Sequence, residues 1–228
     1  VVLTEPTSLN IYRGHRGRME IEVSVTGVSC HGSAPERGDN AIYKMAPIVK
    51  GIEKLNERLK NDEFLGNGTV VVSQISSVGP SQCAVPDKCS IYLDRRLTWG
   101  ETEQSAVSEL REIVLESGIK AEITVPEYRN AAYTGKIYPT KKYYPTWKIE
   151  ENHPIVARAE KVYGELFSAK PKTDKWTFST NGVAIMGMHQ IPCIGFGPGN
   201  EEQAHAPNEW TPVEHLVKAA AFYAAYVS

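Results

Sequence analysis

The stretch Met19-Glu20-Ile21-Glu22-Val23-Ser24-Val25-Thr26-Gly27-Val28 alternates apolar and polar side chains around Ile21, Val23 and Val25. A period of two puts one set of side chains on one face, the mark of a half-buried strand. Downstream the period changes. Asp39 is placed to cap a helix, and Ile42, Met45, Ala46, Val49, Ile52, Leu55 and Leu59 recur at helical spacing, which predicts a helix from about Asn40 to Lys60. Pro47 is expected to kink or loosen its first turns. Asn67-Gly68 signals a turn, Thr69 to Ile75 is rich in β-branched residues, and Cys89 to Leu97 alternates again. Thr102 can cap a second helix with Ala106, Val107, Leu110, Ile113 and Val114 on one face, and Gly118 can end it. Ile119 to Val125 makes a fourth strand. The order β-α-β-β-α-β, over roughly Arg18 to Pro126, is the split βαβ or ferredoxin-like arrangement.

Working outward, Val1 to Leu3 reads as a strand end. Glu127 to Trp147 has no clear period and reads as a connector with some extended structure. A helix is expected from about Pro154 through Ile155, Ala159, Val162 and Leu166. Lys175 to Ser179 and Ile191 to Gly197 bracket a helical piece near Gly182 to Met188. Thr211-Pro212-Val213-Glu214 has the composition of a capping box with a first-turn proline, and Val213, Leu216, Val217, Ala220 and Tyr223 are the expected buried stripe of the last helix. The fold class is therefore α/β. A ferredoxin-like domain at 18–126 is inserted in a second α/β unit built from 1–17 and 127–228.

The chain has 228 residues, 41% hydrophobic and 23% charged, enough for one large core or two modest ones. A net charge of −2, without a basic run, argues against nucleic acid as a partner. Apolar runs are too short to cross a bilayer, so no membrane partner is expected. The cysteines Cys30, Cys83, Cys89 and Cys193 form no CxxC pair and fit scattered thiols in a reducing cytoplasm.

Five places could carry chemistry. Glu5, in Thr4-Glu5-Pro6-Thr7 after an apolar strand end, could ligate a metal through oxygen, or could be an ordinary turn glutamate. His31, in Ser29-Cys30-His31-Gly32-Ser33-Ala34-Pro35, could donate a hydrogen bond to an oxyanion or simply bond its own turn. Arg95 and Arg96 point to opposite sheet faces, so at most one meets a given cleft, where an arginine would bind a carboxylate in bidentate fashion. Thr180, Asn181 and Gly182 open a helical piece whose backbone N–H groups could hold a substrate carboxylate, or could be ordinary caps. His205 follows Gly195-Phe196-Gly197-Pro198-Gly199 in a loop beyond a strand, where α/β proteins present functional side chains; imidazole serves as metal ligand or acid–base group.

The order of these motifs is more specific than any one of them. Glu5-Pro6-Thr7 comes first. Gly14-His15-Arg16-Gly17, the His31 loop with Gly38-Asp39-Asn40-Ala41, and Leu93-Asp94-Arg95-Arg96 follow. Phe196-Gly197-Pro198-Gly199 with His205 and Glu209 closes the set. Across essentially the whole chain this resembles the zinc-dependent amidohydrolase and exopeptidase family of aminoacylase, glutamate carboxypeptidase and succinyl-diaminopimelate desuccinylase. The resemblance implies a two-zinc catalytic domain interrupted by a ferredoxin-like lid that makes a homodimer. It implies Glu5 and His205 as zinc ligands, with cobalt or manganese as alternative metals. It further implies His31 as a catalytic donor reaching the partner subunit's oxyanion, and Arg96 as a clamp on a substrate carboxylate. Relatives often carry Asn at the lid position held here by Cys83, so substrate contact there is altered.

The family's first half carries a His-x-Asp motif, a bridging Asp and a Glu-Glu pair, and none of these is found before Glu5. A catalytic zinc needs about three protein ligands and a base for its water. The expectation is therefore the C-terminal portion of a cytoplasmic hydrolase acting on an amide or peptide beside a free carboxylate, catalytically incomplete alone. The rival expectation is a non-enzymatic dimerisation or small-molecule-binding module of ferredoxin-like topology.

Overall fold

A computed structural model describes residues 1–228, which divide into two compact units. One comprises residues 18–61 and 66–143; the other comprises 1–17, 62–65 and 144–228.

The first of these units is the ferredoxin-like one. Its strands are β1 (Gly17–Thr26), β2 (Thr69–Val78), β3 (Lys88–Leu97) and β4 (Ala121–Thr124), and its helices are α1 (Ala41–Leu55) and α2 (Glu103–Ser117). β1 is central and pairs with β3 on one side and antiparallel with β4 on the other; β2 pairs antiparallel with β3, giving the order β4-β1-β3-β2. Alternation places Met19, Ile21, Val23 and Val25 of β1 beside Cys89, Ile91, Leu93 and Leu97 of β3 on one buried face. Met45, Ile48, Ile52 and Leu55 of α1 and Ala106, Leu110 and Ile113 of α2 cover that face. The helices meet so closely that a Cβ on Gly51 would lie 2.4 Å from the Ile113 Cγ2. Thr102 and Ser105 make a reciprocal capping box, and Gly118 closes α2 at φ 68°.

Two details of α1 differ from the sequence reading. Asn40, not Asp39, is the N-cap, and its side chain accepts from the Ile42 and Tyr43 N–H groups. Asp39 is instead bridged to Val28 in extended backbone. The helix also stops at Leu55, where Asn56 turns outward to accept from the Val70 N–H. Within 127–143, Glu127–Tyr128 pairs antiparallel with Thr140–Lys141.

Arg95 falls in register with the apolar face of β3 and is 1% exposed. Its guanidinium bonds Glu101 at 2.6 Å and Glu109 at 3.1 Å, and the second Glu101 oxygen accepts from the Thr98 N–H at 2.7 Å. Burial pushes the Glu109 carboxyl above its ordinary range despite Arg95 beside it. Only glycine fits at position 68, because a Cβ there would lie 2.5 Å from a Glu101 carboxylate oxygen.

In the other unit the strand Ile11–His15 is central. It pairs antiparallel with Trp147–Lys148 and Ile194–Gly195 and parallel with Thr173–Trp176; Ile194–Gly195 pairs parallel with Val2–Leu3. Helices α3 (Pro154–Phe167) and α4 (Val213–Val227) pack on it through Val156, Ala159, Val162, Ala219 and Phe222. The expected capping box of α4 does not form. Pro212 is its N-cap, with no side-chain cap bond. The expected stripe is also displaced. Val213, Leu216 and Val217 are exposed, while Ala219 and Phe222 are buried and Phe222 stacks on Phe196 at 3.7 Å. α4 carries apolar residues on most of its circumference, so periodicity alone does not single out the face that Phe196 selects. No helix is long and apolar enough to cross a membrane.

Candidate active site

Glu5 leaves the strand Val2–Leu3 in a turn strapped to the loop after Ile194–Gly195. Thr7 and Leu9 donate backbone N–H groups to the Gly197 carbonyl at 3.4 and 3.1 Å, Ser8 donates to the Gly199 carbonyl at 2.7 Å, and Gly197 donates back to the Thr7 hydroxyl at 3.0 Å. The turn uses left-handed backbone at Ser8 and Leu9, and the Trp176 indole N–H fastens the Pro6 carbonyl at 3.0 Å. The strapped glycine loop leads through a 3-10 turn, Glu201–Gln203, to His205. His205 takes φ 62° and donates its N–H to the Glu209 carboxylate at 3.1 Å. The Glu5 and His205 side chains are both exposed. Their oxygen and nitrogen donors suit zinc, cobalt or manganese. However, no group of three or more His, Cys, Asp and Glu side chains comes together anywhere in the chain. These residues therefore fall short of a complete metal site.

Sequence reasoning missed Glu201. Burial, with Asp174 and Glu202 nearby, raises its carboxyl above the ordinary range, and its carboxylate accepts from the Thr177 N–H at 3.2 Å. The same acidic surroundings add to burial in pushing Tyr12 up to about 12. Nothing local in Asn200-Glu201-Glu202 distinguishes one glutamate from the other; the distinction comes from Thr177.

Thr180 and Gly182 are buried and Asn181 is exposed. The segment after them is a six-residue π-helical turn, Val183–Met188. The N–H groups of Thr180 and Gly182 are already used, the first by the His15 Nε2 at 3.0 Å and the second by the Thr180 hydroxyl at 3.1 Å. Two of the three residues expected to form a backbone clamp therefore have their N–H groups engaged within the chain, and Asn181 is the one presented to solvent.

In the ferredoxin-like unit, His31 and Cys83 lie on adjacent loops. His31 is bridged to Ala84, Gly32 donates to the Cys83 carbonyl at 2.7 Å, and Val85 donates to the Cys30 carbonyl at 2.9 Å. The loops border a groove of about 870 Å³ that also meets Asp39, Tyr43 and Lys44. His31 Nδ1 accepts from the Ser33 N–H at 3.2 Å and lies 2.7 Å from the Ser33 hydroxyl. A ring nitrogen accepting an N–H carries no proton, so in the neutral ring the proton sits on Nε2. Arg96 lies on the opposite sheet face from Arg95 and is held in bidentate fashion by Asp94, at 2.8 and 3.0 Å.

Residues 13–122 match the family described as the peptidase dimerisation domain. YgeY of Escherichia coli K12 is 56% identical over 225 residues, spanning 99% of this chain and 56% of YgeY. Acetylornithine deacetylase of Proteus mirabilis is 27% identical over 215 residues, spanning 92% of this chain and 50% of that protein. Aminopeptidase PepT of Bacillus cereus superimposes with a TM-score of 0.71 at 20% identity, over 99% of this chain and 55% of that one. An M20 family metallo-carboxypeptidase of Sulfolobus solfataricus does so at 0.66 and 15%, over 100% and 61%. The chain thus spans about half the length of the curated relatives it matches. Residues 13–122 thus match a peptidase dimerisation domain, and the chain as a whole is similar in sequence to acetylornithine deacetylase and in fold to M20 family structures.

Proposed function

We propose that this chain supplies the dimerising lid, residues 18–126, and the catalytic-domain segments 1–17 and 127–228 of a cytoplasmic, metal-dependent hydrolase. Its substrate would be an amide or peptide beside a free carboxylate, in the manner of a deacylase, dipeptidase or carboxypeptidase. The observation that carries the reading is the strap between the Glu5 turn and Gly197–Gly199, which fastens a carboxylate-bearing turn to the loop leading to an exposed imidazole. Glu5 and His205 would act as metal ligands together with donors outside this span. A divalent metal, zinc first, would supply Lewis acidity there.

The other assignments concern the chain's own groups. His31 would act as the hydrogen-bond donor to a developing oxyanion, supported by the Ser33 contacts to Nδ1 that leave the proton of the neutral ring on Nε2. Arg96 would bind the substrate carboxylate, exchanging Asp94 for it. Cys83 would border the same substrate, and Asn181 would present its side chain to it. The four unpaired cysteines support a reducing compartment.

The test uses full-length protein and a panel of acyl-amino acids, dipeptides and carbamoyl compounds. His205→Ala and chelation should each abolish hydrolysis, and His31→Ala should lower kcat by about 10²-fold or more. Activity unchanged by both chelator and His205→Ala defeats the reading.

A purely assembling module is the second reading, favoured by one observation. β2 is ten residues long, ends the sheet, and exposes Val71, Ile75 and Val78. An unpaired apolar edge of that length is a pairing surface. Dimerisation alongside hydrolysis by the full-length protein fits the first reading; dimerisation with no hydrolysis on any panel member fits the second.

A further inference from the structure

We propose that His15 is a positioning residue: as a neutral imidazole it pins the Thr180–Gly182 turn and thereby fixes where Asn181 meets the substrate. The proposal rests on the hydrolase reading for the substrate contact, but the pin itself stands on geometry.

His15 is fully buried at the end of the strand Ile11–His15. Its neighbours across the sheet are Trp147 on one strand and Trp176 on another, and both indoles meet the imidazole edge-on, with centroids at 5.4 and 6.3 Å. Nδ1 lies 2.8 Å from the Arg16 carbonyl oxygen. A carbonyl only accepts, so Nδ1 carries the proton and Nε2 is a bare acceptor. Nε2 receives the Thr180 N–H at 3.0 Å and lies 3.1 Å from the Thr180 hydroxyl, which in turn accepts from the Gly182 N–H at 3.1 Å. One imidazole lone pair thus organises two backbone N–H groups, those of Thr180, 165 residues downstream, and of Gly182 just beyond it. The turn has little freedom otherwise, since a Cβ on Gly182 would lie 2.5 Å from the Trp147 ring. Burial pushes His15 down to about 4, so the ring stays neutral, and the acceptor stays available, at neutral pH. A protonated Nε2 would instead set one N–H against another.

This arrangement gives the Gly14-His15-Arg16-Gly17 motif a task unrelated to metal or proton transfer. Thr180 and Gly182 are consumed in holding the turn, and Asn181 between them is left exposed.

The experiment compares His15→Phe, which keeps a ring without the acceptor, with His15→Gln, whose amide oxygen replaces Nε2. Thr180→Val, which removes the hydroxyl link and leaves His15 intact, is added in case the Phe variant fails to fold. All are made in full-length protein. Hydrogen exchange should quicken in the peptide covering 178–184 for His15→Phe and Thr180→Val and return toward wild type for His15→Gln. KM should rise about tenfold for the first two, with kcat within about twofold, as expected from one or two lost buried hydrogen bonds. Unchanged exchange in His15→Phe or Thr180→Val, a Gln variant no better than Phe, or kcat falling with KM unmoved overturns the proposal. If the wild-type protein hydrolyses nothing on the panel, the hydrolase reading fails separately, and the exchange comparison alone decides the pin: faster exchange repaired by Gln supports it, unchanged exchange overturns it.

Discussion

A Cβ on Gly197 would stand 2.2 Å from the Glu5 carbonyl oxygen and 2.7 Å from that of Thr4. Backbone meets backbone there, so no side chain can swing aside. Gly197→Ala is expected to destabilise the chain by about 1–3 kcal/mol, the range for overpacking, and to loosen the Glu5 turn. Thermal denaturation checks the first effect and hydrogen exchange over residues 4–10 the second. A variant as stable as wild type, with unchanged exchange, would show that the close approach is not what holds the turn.

The buried Arg95 makes a second expectation. Glu101 is 2% exposed at its side chain and bonds both Arg95 and the Thr98 N–H. Glu101→Ala leaves a buried guanidinium with Glu109, itself partly exposed, as its one carboxylate beside the Thr69 and Arg96 carbonyls, and should lose about 3–5 kcal/mol in urea unfolding. Replacing both partners, as Arg95→Met with Glu101→Leu, removes the unpaired charge and should recover much of that loss. A double variant as unstable as the single one would mean the network's geometry, rather than charge pairing, sustains this end of the sheet.

His15 gives the stability of the chain a pH dependence. Its ring is neutral in the fold down to about 4, while an unfolded histidine takes up its proton near 6.5. Between those values the unfolded state binds more protons than the folded one. The contribution is therefore fully present above about pH 6.5 and lost as pH falls toward 4, a change of roughly 3 kcal/mol. Urea midpoints for wild type and His15→Gln across pH 4 to 7 measure it, and the wild-type slope in that window should flatten in the variant. Equal slopes would place the titrating group elsewhere.

The ferredoxin-like unit was legible because its information is local. Ile21, Val23 and Val25 alternate within one strand, Thr102 caps within one turn, and Gly118 sits where a left-handed residue is required. The exchange of Asp39 for Asn40 as cap lies within one residue and reflects competition: Asp39 was recruited by Val28. The candidate site was legible as residue types but not as an arrangement. The partner of Glu5 is Gly197, that of His15 is Thr180, and the residue that distinguishes Glu201 from Glu202 is Thr177; none is visible without the fold. α4 shows the opposite limit. Its sequence offers apolar residues at Val213, Leu216, Ala219 and Phe222 alike, and packing against Phe196, not pattern, chose among them.

The edge of β2 makes the last expectation. Val71 and Ile75 flank a bulge in a strand whose outer edge has no neighbour in the sheet order, and both are more than half exposed. In a domain of the dimerisation family this is the surface expected to meet a second copy. Lysine at both positions places like charges opposite one another across a two-fold pairing, which opposes strand addition without touching the core cluster of the unit. Val71→Lys with Ile75→Lys is therefore expected to give a monomer by light scattering, with the far-UV spectrum of the wild-type chain. If His31 serves the partner's site, the same full-length variant should also lose hydrolysis. A variant that remains dimeric would move the interface to another surface of the ferredoxin-like unit.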